Sequence, residues 1–277
     1  MADIFLGFLL THDSLDPSLH FGLLLVTSVC LYMSGMVFND VFDRGIDAEE
    51  RPERPIPSGR VSVRQAATFG GMLMLAAVGA ANVVGISSVV VAVALIACIL
   101  AYDGVLKRTP LGPIAMGGCR FLNVMLGASA VDSLSAHWAM PQLHVAAALG
   151  VYVVGVTWFA RDEAKESNRT QLLLAATVIN LGLAGLLAFF LNAPGQAGNL
   201  PMIMLAVVTF TTNGRLAAAM RNPSPQTVQM AIKASILSLV MLDATVVLFQ
   251  TGDTTLAIAT VALLAPATLI GRFISIT

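Results

Sequence analysis

Charge is scarce in this chain. Asp, Glu, Lys and Arg make up 11% of its 277 residues, where a soluble domain carries about a quarter. With 57% hydrophobic residues and a mean hydropathy of +0.82, that shortage excludes an ordinary water-soluble globule. The net charge of −1 offers no basic field for a nucleic-acid partner. Only three cysteines are present, Cys30, Cys98 and Cys119, each within an apolar stretch. They read as small buried hydrophobes, not as a disulfide framework or a thiolate metal centre. The four histidines, His12, His20, His137 and His144, show no metal-ligand spacing. The basic flank of a signal peptide is also missing from the N-terminus.

What the chain has instead is long apolar runs. Leu19 to Phe38 contains no formal charge and is long enough to cross a bilayer. Ala66 to Ala101 is charge-free for 36 residues, which suits two crossings turning near Asn82 to Ser87. Further spans are expected at Leu111–Ala130, Leu143–Ala160, Leu172–Leu191, Asn199–Leu216, Val228–Gln250 and Thr254–Gly271. The pattern predicts an all-α, polytopic transmembrane bundle of about nine spans around a central cavity, as a single domain over residues 1–277. Met1 to Leu10 is apolar but too short to cross at about 1.5 Å per residue. A truncated first helix, residues 1–11, is therefore expected.

The first span ends in chemistry. Asn39, Asp43 and Asp47 lie four apart and Asp40 three before Asp43, so on a continuing helix they share one face. Three anions crowded at a membrane boundary call for a counter-charge, most simply a divalent cation with hard oxygen ligands such as Mg2+. The next segment, Glu49-Glu50-Arg51-Pro52-Glu53-Arg54-Pro55-Ile56-Pro57-Ser58-Gly59-Arg60, is a stiff loop rich in arginine. Mg2+ on carboxylates keeps positions open for phosphate oxygens, and guanidinium groups match those oxygens geometrically.

The run NDVFDRGIDAEERPERPIPSG resembles the first signature of the UbiA superfamily of intramembrane prenyltransferases, NDxxDxxxD followed by RPxRPxPSG. Later features of the chain point to the EboC-like branch. The resemblance implies Mg2+-dependent transfer of a prenyl group from an isoprenyl diphosphate to an aromatic or other lipophilic acceptor, within membrane lipid. It implies Asp40, Asp43 and Asp47 as metal ligands, with Asn39, Arg44 and Arg54 beside the diphosphate. The family also carries a second acidic motif, facing the first. Its counterpart here is Arg161-Asp162-Glu163-Ala164-Lys165-Glu166, which makes Asp162, Glu163 and Glu166 candidate ligands and Arg161 a phosphate contact. This group departs from the family pattern: Glu replaces the second Asp, and two bases are interleaved. An ordinary charged helix end is the competing reading.

Tyr102-Asp103-Gly104-Val105-Leu106-Lys107-Arg108 is similar to the family's Tyr-x-x-x-Leu-Lys segment, whose Tyr and Lys approach the diphosphate; this nominates Tyr102 and Lys107. Arg120 and Asn123, three apart within an apolar span, are expected to reach the phosphate or the acceptor. Asp43, Asp47, Lys107 and Arg120 are the expected catalytic group. Thirteen of the fifteen Lys and Arg residues fall in alternate connections or near the C-terminus. The positive-inside rule then assigns the motif loops to the cytoplasmic side. Two other classes are considered. A non-catalytic isoprenoid-binding or transport protein on the same scaffold fits the altered second group. A CDP-alcohol phosphotransferase does not, because Asp103-Gly104 continues as Val105-Leu106-Lys107-Arg108 and lacks that signature.

Overall fold

The computed structural model describes residues 1–131, 133–161, 168–193, 195 and 197–263. All regular structure among them is helical: α1 (Ala2–Leu9), α2 (Ser18–Glu50), α3 (Val63–Val84), α4 (Ile86–Gly104), a 3-10 turn (Leu106–Arg108), α5 (Gly112–Gly127), α6 (Leu134–His137), α7 (Gln142–Phe159), α8 (Arg169–Asn192), α9 (Leu200–Arg221), α10 (Pro225–Thr251) and α11 (Thr254–Ala262). Helices suit lipid because each satisfies its own backbone polar groups.

Seven of these helices, α2, α3, α4, α7, α8, α9 and α10, are long and apolar enough to cross a membrane. With the family match reported below, they make this an integral, multi-pass membrane protein. The expected count of nine differs at two places. The span placed at Leu111–Ala130 is a 16-residue helix, α5. The span placed at Thr254–Gly271 opens as α11, and its second half lies outside the described residues. The turn expected near Asn82 to Ser87 falls at Gly85, whose φ of 152° joins α3 directly to α4 in a conformation that favours glycine.

The centre of the bundle is built from α1, α5, α7 and α10. α7 and α10 are 61% buried over their apolar windows, against 17% for α3. The eight residues of α1 sit deep: Ile4, Leu6 and Phe8 are fully buried. Gly7 lets α1 press on α5, since a Cβ there would lie 2.1 Å from the Val124 carbonyl oxygen. A Cβ at Gly182 of α8 would likewise meet the Tyr152 backbone of α7 at 2.6 Å. Small residues that admit backbone close to backbone are how helices pack where lipid removes the hydrophobic drive between them.

The outer surface is apolar, as a lipid-facing surface must be: Leu75, Leu181 and Phe210 are all exposed. Two hollows open on it. One of ≈480 Å³ lies on α3 beside Ile96, and one of ≈680 Å³ runs between α8 and α9. Neither is lined by the acidic residues of α2, so neither is the central cavity expected from the sequence.

Candidate active site

α2 continues as one unbroken helix through Glu50, well past the apolar stretch that ends at Phe38. The i, i+4 spacing of Asn39, Asp43 and Asp47 therefore becomes a physical stripe. Two loops close on this stripe from different parts of the chain.

The first loop follows α2. Pro52, Pro55 and Pro57 stiffen it, and backbone bonds from Ser58 to the Arg54 carbonyl (3.0 Å) and from Val61 to the Pro55 carbonyl (3.0 Å) fold it into a compact turn. Gly59, at φ 76°, supplies the left-handed residue that this reversal needs. The fold-back aims Arg54 at α2, where its Nη1 donates to Asp47 Oδ2 at 2.8 Å and to Asp40 Oδ1 at 3.2 Å. The hydrogen bond to Asp47 holds the Arg54 guanidinium above its ordinary pKa, so it stays a cation. Ser62 and Gln65 then form a reciprocal capping box that starts α3 at once.

The second loop is the turn between α4 and α5. Lys107 Nζ donates to Asp43 Oδ2 at 2.6 Å and to Asn39 Oδ1 at 2.8 Å, and Arg108 Nη2 donates to Asp43 Oδ1 at 2.9 Å. The turn sits tight on α5: a Cβ at Gly112 would lie 3.0 Å from the Leu106 carbonyl oxygen. Six expected residues thus come together at one end of the bundle: Asn39, Asp40, Asp43, Asp47, Arg54 and Lys107. Arg108 joins them, although its place beside Lys107 was its sole signal in the sequence.

Other expected residues stand elsewhere. Arg44 is exposed and donates to the Val41 carbonyl of its own helix at 2.8 Å. Tyr102 is half-buried in the last turn of α4, without a hydrogen bond among the described residues. Arg161 is exposed just beyond α7, and Asp162, Glu163 and Glu166 lie outside the described residues.

Arg120 and Asn123 do not join the acidic stripe. Arg120 pairs through Nη1 with Asp3 of α1 at 2.6 Å and through Nη2 with Asp243 of α10 at 2.7 Å. Asn123 donates to Asp3 at 2.7 Å and accepts from Ser28 of α2 at 2.9 Å. Ser28 lies fifteen residues before Asp43 on the same helix, about 22 Å at 1.5 Å per residue. Two carboxylates already claim the Arg120 guanidinium. In this structure Arg120 stands apart from the acidic end where it was expected to reach a phosphate.

The donor chemistry of the stripe fits Mg2+. Its side chains offer hard oxygens, and Asp40 keeps its side chain 44% exposed. No group of three or more Asp, Glu, His or Cys residues is gathered tightly enough among the described residues to cage a metal alone. Mg2+ rarely asks for that: one or two carboxylates plus substrate phosphates is its usual shell.

Residues 2–240 match the UbiA prenyltransferase family. A digeranylgeranylglyceryl phosphate synthase from Methanothrix thermoacetophila is 37% identical over 126 residues, covering 44% of this chain and 47% of the relative. The curated relatives that the chain matches are aligned over about half of their length or less. Among solved structures, one described as giving structural and mechanistic insights into the biosynthesis of digeranylgeranylglyceryl phosphate synthase in membranes superposes with a TM-score of 0.69 at 17% identity. It covers 91% of this chain and 94% of its own. A UbiA homolog from Archaeoglobus fulgidus bound to GPP and Mg2+ superposes at 0.53 and 16% identity, over 88% of this chain and 96% of that one. At those identities the structures speak to the fold. The family match rests on most of the sequence, and on it this chain belongs to the UbiA prenyltransferase family.

Proposed function

We propose that this protein transfers a prenyl group from an isoprenyl diphosphate to a lipophilic or aromatic acceptor within the membrane, with Mg2+ as the accompanying ion. The observation that carries the reading is the meeting of Asp40, Asp43 and Asp47 with Arg54, Lys107 and Arg108, drawn from two separate loops to one end of the bundle. Relatives named as digeranylgeranylglyceryl phosphate synthases and a UbiA homolog bound to GPP and Mg2+ support it.

In this reading Asp40, Asp43 and Asp47 hold the metal, with Asp162, Glu163 and Glu166 as the second acidic group. When bound, Mg2+ neutralises the leaving diphosphate. Arg54 and Lys107 exchange carboxylate partners for phosphate oxygens, one anion for another, so the exchange costs little electrostatically. Asn39 completes the diphosphate surroundings, and Tyr102, Arg44 and Arg161, which stand outside the cluster, would turn toward the bound diphosphate to join it. The apolar stretch of α2 up to Phe38 keeps water from the allylic cation while the acceptor approaches. We assign Arg120 and Asn123 to the framework of the bundle and not to the diphosphate. The motif loops face the cytoplasm by the positive-inside rule. Within the family we assign the chain to the EboC-like branch on its altered second acidic group, a finer placement than the family match gives.

A second reading draws on the same contacts. Basic side chains already satisfy the carboxylates of the stripe, as a site that binds diphosphate without turning it over would also show. Purified protein incubated with radiolabelled isoprenyl diphosphates of several lengths and a lipid extract separates the two. We expect Mg2+-dependent diphosphate release with a prenylated product found by mass analysis, and loss of both in Asp43→Ala. Binding without release from any donor would favour the non-catalytic protein.

A further inference from the structure

Cys98 of α4 and Cys119 of α5 touch through their sulfurs. The Cys119 thiol donates to Cys98 Sγ at 3.4 Å, and the Cys98 thiol donates in turn to the Ala115 carbonyl at 3.3 Å. Cys30 of α2 makes no such contact among the described residues. A single buried cysteine behaves as a small hydrophobe, whereas two in contact have the added chemistry of a dithiol. The two sulfurs stand about 1.4 Å beyond disulfide bonding distance. The helices that carry them are close at this level, since a Cβ at Gly118 would lie 3.4 Å from Cys98 Sγ. Both side chains are half-buried.

The pair brackets the turn that carries Lys107. Cys98 lies nine residues before Lys107 and Cys119 twelve after it. Cys98 sits six residues before the end of α4 at Gly104, about 9 Å along the axis. That depth belongs to an apolar, membrane-length helix, where a charged oxidant such as glutathione disulfide is excluded. A neutral two-electron oxidant that dissolves in lipid is the class that reaches it, and a quinone is the simplest. The turn itself has little slack. Its Leu106 carbonyl lies against Gly112 of α5, and the Val105 N–H donates to the Ala101 carbonyl of α4 at 3.2 Å. The turn therefore follows both helices, and a covalent link between them limits how far Lys107 swings from Asn39 and Asp43.

We infer that Cys98 and Cys119 form a redox-modifiable dithiol, oxidised by a lipid-soluble quinone to a disulfide that holds Lys107 on its carboxylate. In that step both S–H bonds break and one S–S bond forms. Two electrons and two protons pass to the carbonyl oxygens of the quinone, which leaves as the hydroquinone. The consequence for Lys107 rests on the proposed function, in which this ammonium leaves Asp43 for a phosphate oxygen. The oxidised protein then binds an isoprenyl diphosphate more weakly than the reduced one.

Protein in lipid nanodiscs is treated with duroquinone, whose fully substituted ring does not add thiols, and the quinone is then removed. One portion is denatured and alkylated, and its free thiols are counted by peptide mass analysis. A second portion is titrated with a non-reactive isoprenyl thiodiphosphate and Mg2+. Wild type should pass from three free thiols to one, with a peptide linked through Cys98 and Cys119. Its donor affinity should fall on the order of tenfold, the usual size of coupling between two sites, and dithiothreitol should restore both. Cys119→Ser and Cys98→Ser should bind donor like reduced wild type and ignore duroquinone, while Cys30→Ser should respond as wild type does. Three free thiols after treatment, or a disulfide through Cys30, overturns the site. A Cys98–Cys119 disulfide that leaves donor affinity unchanged overturns its hold on Lys107, as does an equal loss of affinity in treated Cys119→Ser. If reduced wild type binds no donor, the proposed function fails and the control of binding with it, whereas the thiol count still decides whether the pair oxidises.

Discussion

Arg54 reaches two carboxylates that lie seven residues apart on α2, one of them, Asp47, with a side chain only 8% exposed. Replacing Arg54 with Ala leaves a nearly buried carboxylate without its charged donor. We expect a loss of roughly 1–3 kcal/mol, the usual cost of orphaning such a group, read as a lower Tm in detergent. The same variant should raise the donor KM, because this guanidinium is also assigned to the diphosphate. At this scale the acidic stripe and its basic sequel were legible, since i, i+4 spacing needs no tertiary information. The partners of Arg120 were not: Asp3 and Asp243 lie 117 and 123 residues away in sequence, and no local pattern links them.

Arg120 also matters between elements, since it ties α1 and α10 to α5. Arg120→Met would leave Asp3 and Asp243 buried without their counter-charge. Breaking a buried pair in this way costs roughly 3–5 kcal/mol, so we expect a large fall in unfolding temperature. Asp3→Asn, which keeps the size of the side chain, separates framework from phosphate binding: stability should fall while the donor KM stays near wild type. A raised KM in that folded variant would return Arg120 to the diphosphate. The seam between α7 and α8 gives an independent check on packing. Gly182→Val would drive a branched side chain into the Tyr152 backbone, and the yield of folded protein should drop. The single-residue link at Gly85 could be anticipated because a glycine interrupts a charge-free run too long for one crossing. The burial of α1 was not legible, because an apolar segment too short to span gives no sign of what it packs against. The direction of the Arg54 loop was equally hidden: its prolines predict stiffness, and only backbone bonds decide where a stiff loop points.

Across the whole molecule, two contacts join basic connections to other segments. Lys107 meets Asp43, and Arg169 donates to the Arg221 carbonyl at 3.2 Å where α8 begins and α9 ends. The opposite connections near Asp13 and Gly252 carry no Lys or Arg. We expect Arg60→Cys to react with a membrane-impermeant thiol reagent from the cytoplasmic face and Asp13→Cys from the other, in a background with Cys30, Cys98 and Cys119 replaced by Ser. Labelling of both from one face would contradict the topology. The helical class could be read from composition and spacing alone, because lipid penalises charge so heavily that long charge-free runs are informative. The span count was less secure, since α5 is short for a crossing yet lies at the centre of the bundle.

The measurement that bears most directly on the account is saturation binding of a non-reactive isoprenyl thiodiphosphate to the purified protein, with and without Mg2+, in wild type, Asp43→Asn and Asp47→Asn. We predict tight binding that needs Mg2+ in wild type and falls by at least about tenfold in each folded variant, about 1.4 kcal/mol. Binding that ignores both Mg2+ and the two substitutions would contradict the claim that this acidic stripe grips a metal-bound diphosphate.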